Sequence, residues 1–252
     1  MSQSFKKLYT NKKDFIAYKE QIYHKNKKSL LWFGGLNSDM SGTKAQYLSS
    51  FSKKNRINFC RFDYFGHGRS SKEFNNCVIS DWLNNGIKIM DQIIDNEVIL
   101  IGSSMGGWIS TLVSLKRRTK VKGLILIAPA LDMTENLMWK KFSSKEKNLI
   151  KTRGYIERYV EDYDSSYRIT KKLIDDGRKH LILKDIIDLN VPIRIFHGIK
   201  DEAVPWELSL DLMSSFSSDD INVSFNKNGN HSLSSDSDLK SLGDAILDVY
   251  NN

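Results

Sequence analysis

Short, almost uninterrupted apolar runs recur along the chain, and each is followed by a stretch with helical spacing. The pattern predicts strands over Ser29–Gly35, Asn58–Tyr64, Glu97–Ser103, Lys122–Ala128, Pro192–Gly198 and Asn222–Lys227. It predicts helices over Thr43–Lys54, Val78–Asp95, Met105–Leu115, Pro205–Phe216 (with proline in the first turn) and Ser237–Tyr250. A strand buried on one face alternates apolar and polar residues. These runs do not alternate, so both faces of their sheet must be covered. Strands alternating with helices then define an α/β protein: a mostly parallel central sheet, right-handed crossovers and helices on both faces. Phe15–Tyr23 reads as an extra antiparallel edge strand.

The rhythm breaks once. Between Met133 and Leu189 the sequence shows helical patterns rich in charge and aromatics but no strong strand. One crossover helix does not need so long a connection. The chain is therefore expected to divide into a core, residues 1–132 and 190–252, and a helical cap, residues 133–189, lying over the strand ends. Trp139, Phe142, Tyr155, Tyr159, Tyr163 and Tyr167 belong to that cap, and each is expected to pack it against the core.

Composition narrows the function classes. The 252 residues are 40% hydrophobic and 11% aromatic, too apolar for a disordered chain. The longest apolar stretches, Val98–Ile101 and Leu124–Ala130, fall far short of the roughly 20 residues of a membrane span, so no integral membrane segment is expected. The net charge of +8 raises the question of an acidic partner. The excess is mostly lysine in scattered pairs such as Lys53-Lys54 and Lys171-Lys172, with no stripe of arginines and aromatics, which argues against nucleic acid. Basic charge with cap aromatics leaves a membrane-surface role as a lesser reading. Two cysteines, Cys60 in an apolar run and Cys77, form no disulfide framework. Met1–Lys13 lacks the apolar stretch of a secretory leader, so a reducing, cytoplasmic setting is expected. No cluster of His, Cys and carboxylates has metal-ligand spacing, so neither metal nor cofactor is called for.

The chemistry concentrates in three places. Gly102-Ser103-Ser104-Met105-Gly106 follows a predicted strand and opens a predicted helix, the setting of a nucleophile elbow. A serine there must stand on a tight turn to clear the sheet, and crowding at that turn demands small residues two places away on each side. Ser104 fits; Ser103 sits one place early. Of the five histidines, His231 lies in a loop just past the last strand, at the sheet edge that carries the elbow. His197 falls inside a strand and reads as a core residue, while His67, in a turn near the site, is the second candidate base. Asp201 follows the strand ending at Gly198 and lies between serine and histidine in chain order, with Glu202 as the alternative acid. Asp219 and Asp220 precede the last strand and belong at its other end. Backbone N–H groups of Met105 and of Leu36, the latter in Gly34-Gly35-Leu36-Asn37, are the candidate oxyanion donors.

The order Ser…Asp…His is that of the α/β hydrolases. The chain resembles that superfamily over nearly its full length. Four stretches carry the likeness: Asn37–Ala45, Arg61–Ser71, Gly102–Trp108 and His197–Trp206. Within the superfamily they resemble the mitochondrial branch of palmitoyl-protein thioesterases and acyl-glucuronide esterases and its bacterial relatives. The resemblance implies an α/β-hydrolase fold with nucleophile, acid and base on Ser104, Asp201 and His231. It also implies a cofactor-free acyl transfer on small-molecule esters or thioesters with short to medium acyl chains. Many superfamily members carry His-Gly ahead of the oxyanion residue. Here the pair is Gly34-Gly35, which keeps the backbone donor and removes a histidine that often braces the loop. C–C bond hydrolysis, peptide hydrolysis and non-catalytic binding on the same fold remain open at this stage.

Overall fold

The computed structural model describes residues 4–160 and 165–252. Eight strands form one sheet in the order β1-β2-β4-β3-β5-β6-β9-β10. The strands are β1 (Lys6–Tyr9), β2 (Phe15–Gln21), β3 (Ser29–Phe33), β4 (Asn58–Phe62), β5 (Val98–Ser103), β6 (Val121–Ile127), β9 (Ile193–Gly198) and β10 (Ile221–Asn226). All neighbours from β4 through β10 pair in parallel, and β1 and β2 are antiparallel. Phe15–Gln21 is antiparallel as expected, yet it is not the edge: β1 pairs outside it. Lys6–Tyr9 is short and largely exposed, so its apolar pattern gave no sign of a strand.

The unbroken apolar runs are explained by two separate cores. Along β3, Leu31 and Phe33 face one side while Leu30 and Trp32 face the other. The same alternation runs through Leu100 against Ile99 and Ile101 on β5, and through Leu124 and Leu126 against Ile125 and Ile127 on β6. The first face is covered by α2 (Ile79–Gln92), α3 (Met105–Lys116) and α6 (Glu207–Ser215), the second by α1 (Thr43–Asn55) and α7 (Asp236–Asn251). Burying each such Leu or Ile contributes about 1.5–3 kcal/mol, which makes the middle strands a rigid platform. Asp220, at the start of β10, pairs with Arg194 at 2.7 Å, at the strand ends opposite those that carry Ser104 and Asp201.

The insertion between β6 and β9 holds helical elements, including a π-helical turn at Thr134–Met138, α4 (Ser144–Arg153) and α5 (Lys171–Gly177). It also holds what a helical reading omits, an antiparallel pair of β7 (Tyr155–Val160) and β8 (Ser165–Thr170). Gly154, at φ 88°, ends α4 in a left-handed cap that turns the chain into β7. Ile156 then faces Ile169 across the pair, and Glu157 faces Arg168, joined at 3.2 Å. The abundance of charge hid this alternation. Tyr163 lies outside the described residues. The base of the insertion is clamped by Asp132, whose carboxylate accepts the N–H of Ile182 at 2.9 Å and of Leu183 at 3.0 Å. Among the described residues no helix is long and apolar enough to cross a membrane.

Candidate active site

β5 ends in a turn that forces Ser104 into a strained backbone, φ 54° and ψ −120°. Such a conformation persists only where its surroundings fix it. Ser104 N–H donates to the Ile127 carbonyl at 2.9 Å, and its carbonyl accepts from Gly107 at 2.9 Å and Ala130 at 3.1 Å. The flanking glycines are required by contact rather than by flexibility. A Cβ on Gly102 would stand 2.4 Å from the Gly106 carbonyl oxygen, and one on Gly106 would stand 2.1 Å from that of Phe33. The helix α3 can therefore start at once, close against the end of β3.

The structure brings the three predicted side chains together. Ser104 Oγ lies 3.0 Å from His231 Nε2, and His231 Nδ1 lies 2.7 Å from Asp201 Oδ2. Since a carboxylate only accepts, Nδ1 carries the proton and Nε2 is free to accept from the serine hydroxyl. Asp201 is buried and meets His231, whereas Glu202 is exposed. Burial by itself would push the Asp201 carboxyl up. Hydrogen bonds from His197 and His231 and from the Val204 N–H outweigh it and hold the group well below the usual carboxylate range.

One of those donors was not foreseen. His197 is fully buried, as a core histidine should be, but its Nε2 lies 3.1 Å from Asp201 Oδ2 and 3.0 Å from the Val204 carbonyl. Both partners accept, so Nε2 carries the proton, and Nδ1 accepts from the Ser209 hydroxyl at 2.6 Å. Asp201 Oδ1 takes the N–H groups of Ala203 at 2.9 Å and Val204 at 2.8 Å. Four donors thus fix the carboxylate, a result of pairing across the chain that a strand pattern alone does not reveal. On its far side the His231 loop is tied by Lys44, whose ammonium donates to the Ser232 carbonyl; burial pulls that ammonium down to about 8.

His67, the second candidate base, is not available to the serine. Its Nδ1 meets the Phe65 carbonyl at 3.1 Å and its Nε2 meets the Asn37 N–H at 3.1 Å. The loop after β3 does approach the site: a Cβ on Gly35 would touch the Ser104 Cβ at 3.4 Å. Among the described residues neither the Leu36 N–H nor the Met105 N–H has a protein acceptor. Over Ser104 and His231 lies an open cavity of about 1050 Å³, walled by Leu36, Met133, Phe142, Tyr167, Ile169 and Val204 among others. Among the described residues its charged lining side chains are Lys141 and Arg158, with no carboxylate. No group of three or more His, Cys, Asp or Glu side chains among the described residues could hold a metal ion.

A mostly parallel sheet with a serine elbow at its carboxyl edge defines an α/β hydrolase. Comparisons with known proteins agree. The family model described as "Serine aminopeptidase, S33" matches residues 24–238, and the chain belongs to that family of the α/β-hydrolase superfamily. The mouse protein named "Palmitoyl-protein thioesterase ABHD10, mitochondrial" is 32% identical over 222 residues, 87% of this chain and 74% of its own. A structure of mouse α/β-hydrolase domain-containing protein 10 superposes with TM-score 0.89 at 29% identity, covering 99% of each chain. A crystal structure from Agrobacterium vitis S4 gives TM-score 0.92 at 30% identity, covering 98% of this chain and 97% of that one.

Proposed function

We propose that the protein is a serine hydrolase that cleaves carboxylic esters or thioesters of short to medium acyl chains through an acyl-enzyme. The observation that carries this reading is the unbroken hydrogen-bond chain Ser104–His231–Asp201, at 3.0 and 2.7 Å, opening onto the large cavity. His231 Nε2 takes the proton of Ser104 as Oγ attacks the acyl carbon. Asp201 holds the tautomer and stabilises the imidazolium. The N–H groups of Leu36 and Met105, free of protein acceptors, receive the oxyanion. His231 then returns the proton to the departing alcohol or thiol, and water activated by the same nitrogen releases the acid.

The wall of the cavity supports a neutral acyl group. Its described lining is largely apolar, and its volume of about 1050 Å³ leaves room for more than an acetyl group. An aminopeptidase, the activity in the family's description, needs a carboxylate to meet the substrate's α-ammonium. The described lining residues supply Lys141, and Arg158 already paired with Glu146, in place of one. The thioester arm draws on the mouse relative, whose name is that of a palmitoyl-protein thioesterase. The division into a core and a cap over residues 133–189 is part of this proposal, with the insertion as the substrate-shaping wall. So is the cytoplasmic setting, which cell fractionation tests directly against the mitochondrial location in the relative's name.

The test is hydrolysis of p-nitrophenyl esters of C2 to C12 acids and of matching acyl-CoA thioesters by wild type and Ser104→Ala. Turnover by wild type with a loss of roughly 10³–10⁶-fold in the variant is expected. Full activity in Ser104→Ala overturns the site, and an inert wild type overturns the reaction class.

A further inference from the structure

We propose that His67 is a positioning residue for oxyanion binding, its Nε2 lone pair fixing the strap that presents the Leu36 N–H beside Ser104. The inference rests on the acyl-transfer reading above. Gly35 and Ser38 close a tight turn, Ser38 N–H to Gly35 carbonyl at 3.2 Å, with Leu36 and Asn37 at its centre. Asn37 has φ 57°, a left-handed conformation that the commonest turn does not contain. The two kinds of turn differ by a flip of the Leu36–Asn37 peptide. One hydrogen bond reports which way that peptide faces, the Asn37 N–H to His67 Nε2 at 3.1 Å.

The histidine is built for this task. Its Nδ1 faces a carbonyl, that of Phe65 at 3.1 Å, and so must carry the proton; its Nε2 is left as an acceptor. Tyr64, Phe74 and Trp82 meet the ring edge-on at 5.7, 5.3 and 5.3 Å, which removes water and fixes its plane. Burial pulls its pKa down to about 4, against the raising effect of the Phe65 carbonyl, so the lone pair is present at neutral pH. The same end of β4 holds the strap twice more. Asp63 Oδ1 accepts the Met40 N–H at 2.7 Å, and the Arg61 guanidinium donates to the Met40 carbonyl at 2.9 Å. Gly34 and Gly35 have no side chains with which to brace the strap themselves. The brace comes instead from the end of the neighbouring strand β4 and the loop that follows it.

His67→Leu removes the acceptor, and His67→Gln places an amide oxygen where Nε2 stood. With p-nitrophenyl butyrate, His67→Leu is expected to lose about 10- to 100-fold in kcat with KM changed less than about threefold, a fraction of what losing the oxyanion donor itself costs. His67→Gln is expected to recover kcat to within about fivefold of wild type. In wild type, long-range ¹H–¹⁵N spectra should show the Nδ1–H tautomer. The proposal is overturned if His67→Leu keeps kcat within twofold, if KM alone moves, if His67→Gln falls as far as His67→Leu, or if the Nε2–H tautomer is found. Should His67→Leu not fold, the glutamine variant and the tautomer decide. An inert wild type would sink the acyl-transfer reading alone, and the tautomer would still decide the contact.

Discussion

The carboxyl edge of the sheet and the insertion above it are held together by different means. At the edge, Ser104, Asp201 and His231 sit on short loops anchored in strands buried on both faces, and main-chain bonds fix the elbow from both sides. The insertion packs on a small cluster of its own, Phe142, Ile150, Ile156, Ile169 and Ile174. Around that cluster run exposed ion pairs such as Arg158–Glu146 and Arg178–Glu135, each worth about 0–1 kcal/mol. On the proposed function, the geometry that breaks bonds leans on the large core, and the wall that meets the substrate leans on a small one. Damage to the first should cost rate, and damage to the second should change choice.

Four experiments sharpen that contrast. Asp201→Asn leaves His231 without its carboxylate and is expected to lower kcat by roughly 10³–10⁴-fold with KM little changed; steady-state kinetics on p-nitrophenyl esters checks it. His197→Ala removes one of four donors to Asp201 and opens a cavity beneath it. About a tenfold loss in kcat and a stability loss of about 2–3 kcal/mol in urea titration are expected. Phe142→Ala and Tyr167→Ala, in the wall, should leave kcat on the acetyl ester within a few-fold and move the chain-length optimum toward longer acyl groups, read from kcat/KM across C2 to C12. If instead these two abolish turnover on every ester, the separation of rate from choice fails.

A change of pH acts on stability rather than on rate. His67 titrates at about 4 in the folded protein against an ordinary 6.5, so between these values the unfolded chain binds more protons and stability falls as pH falls. A shift of this size corresponds to about 3 kcal/mol at most. Asp63 works in the opposite direction: burial raises it to about 6, so its contribution weakens as pH rises from about 4 to 6. Comparing wild type with His67→Gln in urea at pH 4.5 and 7 isolates the histidine. The wild type should lose more stability than the variant on acidification, and equal losses would contradict the assignment.

Most of the sheet and the meeting of the candidate side chains Ser104, Asp201 and His231 could be read from the sequence because their causes are local. Gly102-x-Ser104-x-Gly106 is dictated by contacts within one turn, and Asp201 and His231 each stand a few residues past an apolar run. What escaped depends on partners distant in the chain. β1 has no apolar signature and exists because β2 offers it a pairing edge. The strands β7 and β8 carry as much charge as a solvated helix, and only pairing Ile156 with Ile169 reveals their alternation. His197 read correctly as buried, but its bond to Asp201 depends on the loop folding back beneath the strand end. His67 reads as a candidate base because its turn lies near the site. Its two ring nitrogens are already engaged, by the Phe65 carbonyl and by an amide thirty residues away in sequence.

The helix α7 adds a consequence in time. Its residues Leu242, Ile246 and Val249 cover Ile99, Ile125 and Ile127, and it fits so closely over β6 that a Cβ on Gly123 would stand 2.2 Å from Val249. The same cluster takes in Leu233, two residues past His231. A ribosome makes this helix after every strand of the sheet. While it is still inside the exit tunnel, the nascent chain already holds Ser104 and Asp201, but only α1 covers that face of the sheet and the histidine loop lacks its apolar anchor. On the proposed function, hydrolysis therefore waits until α7 docks.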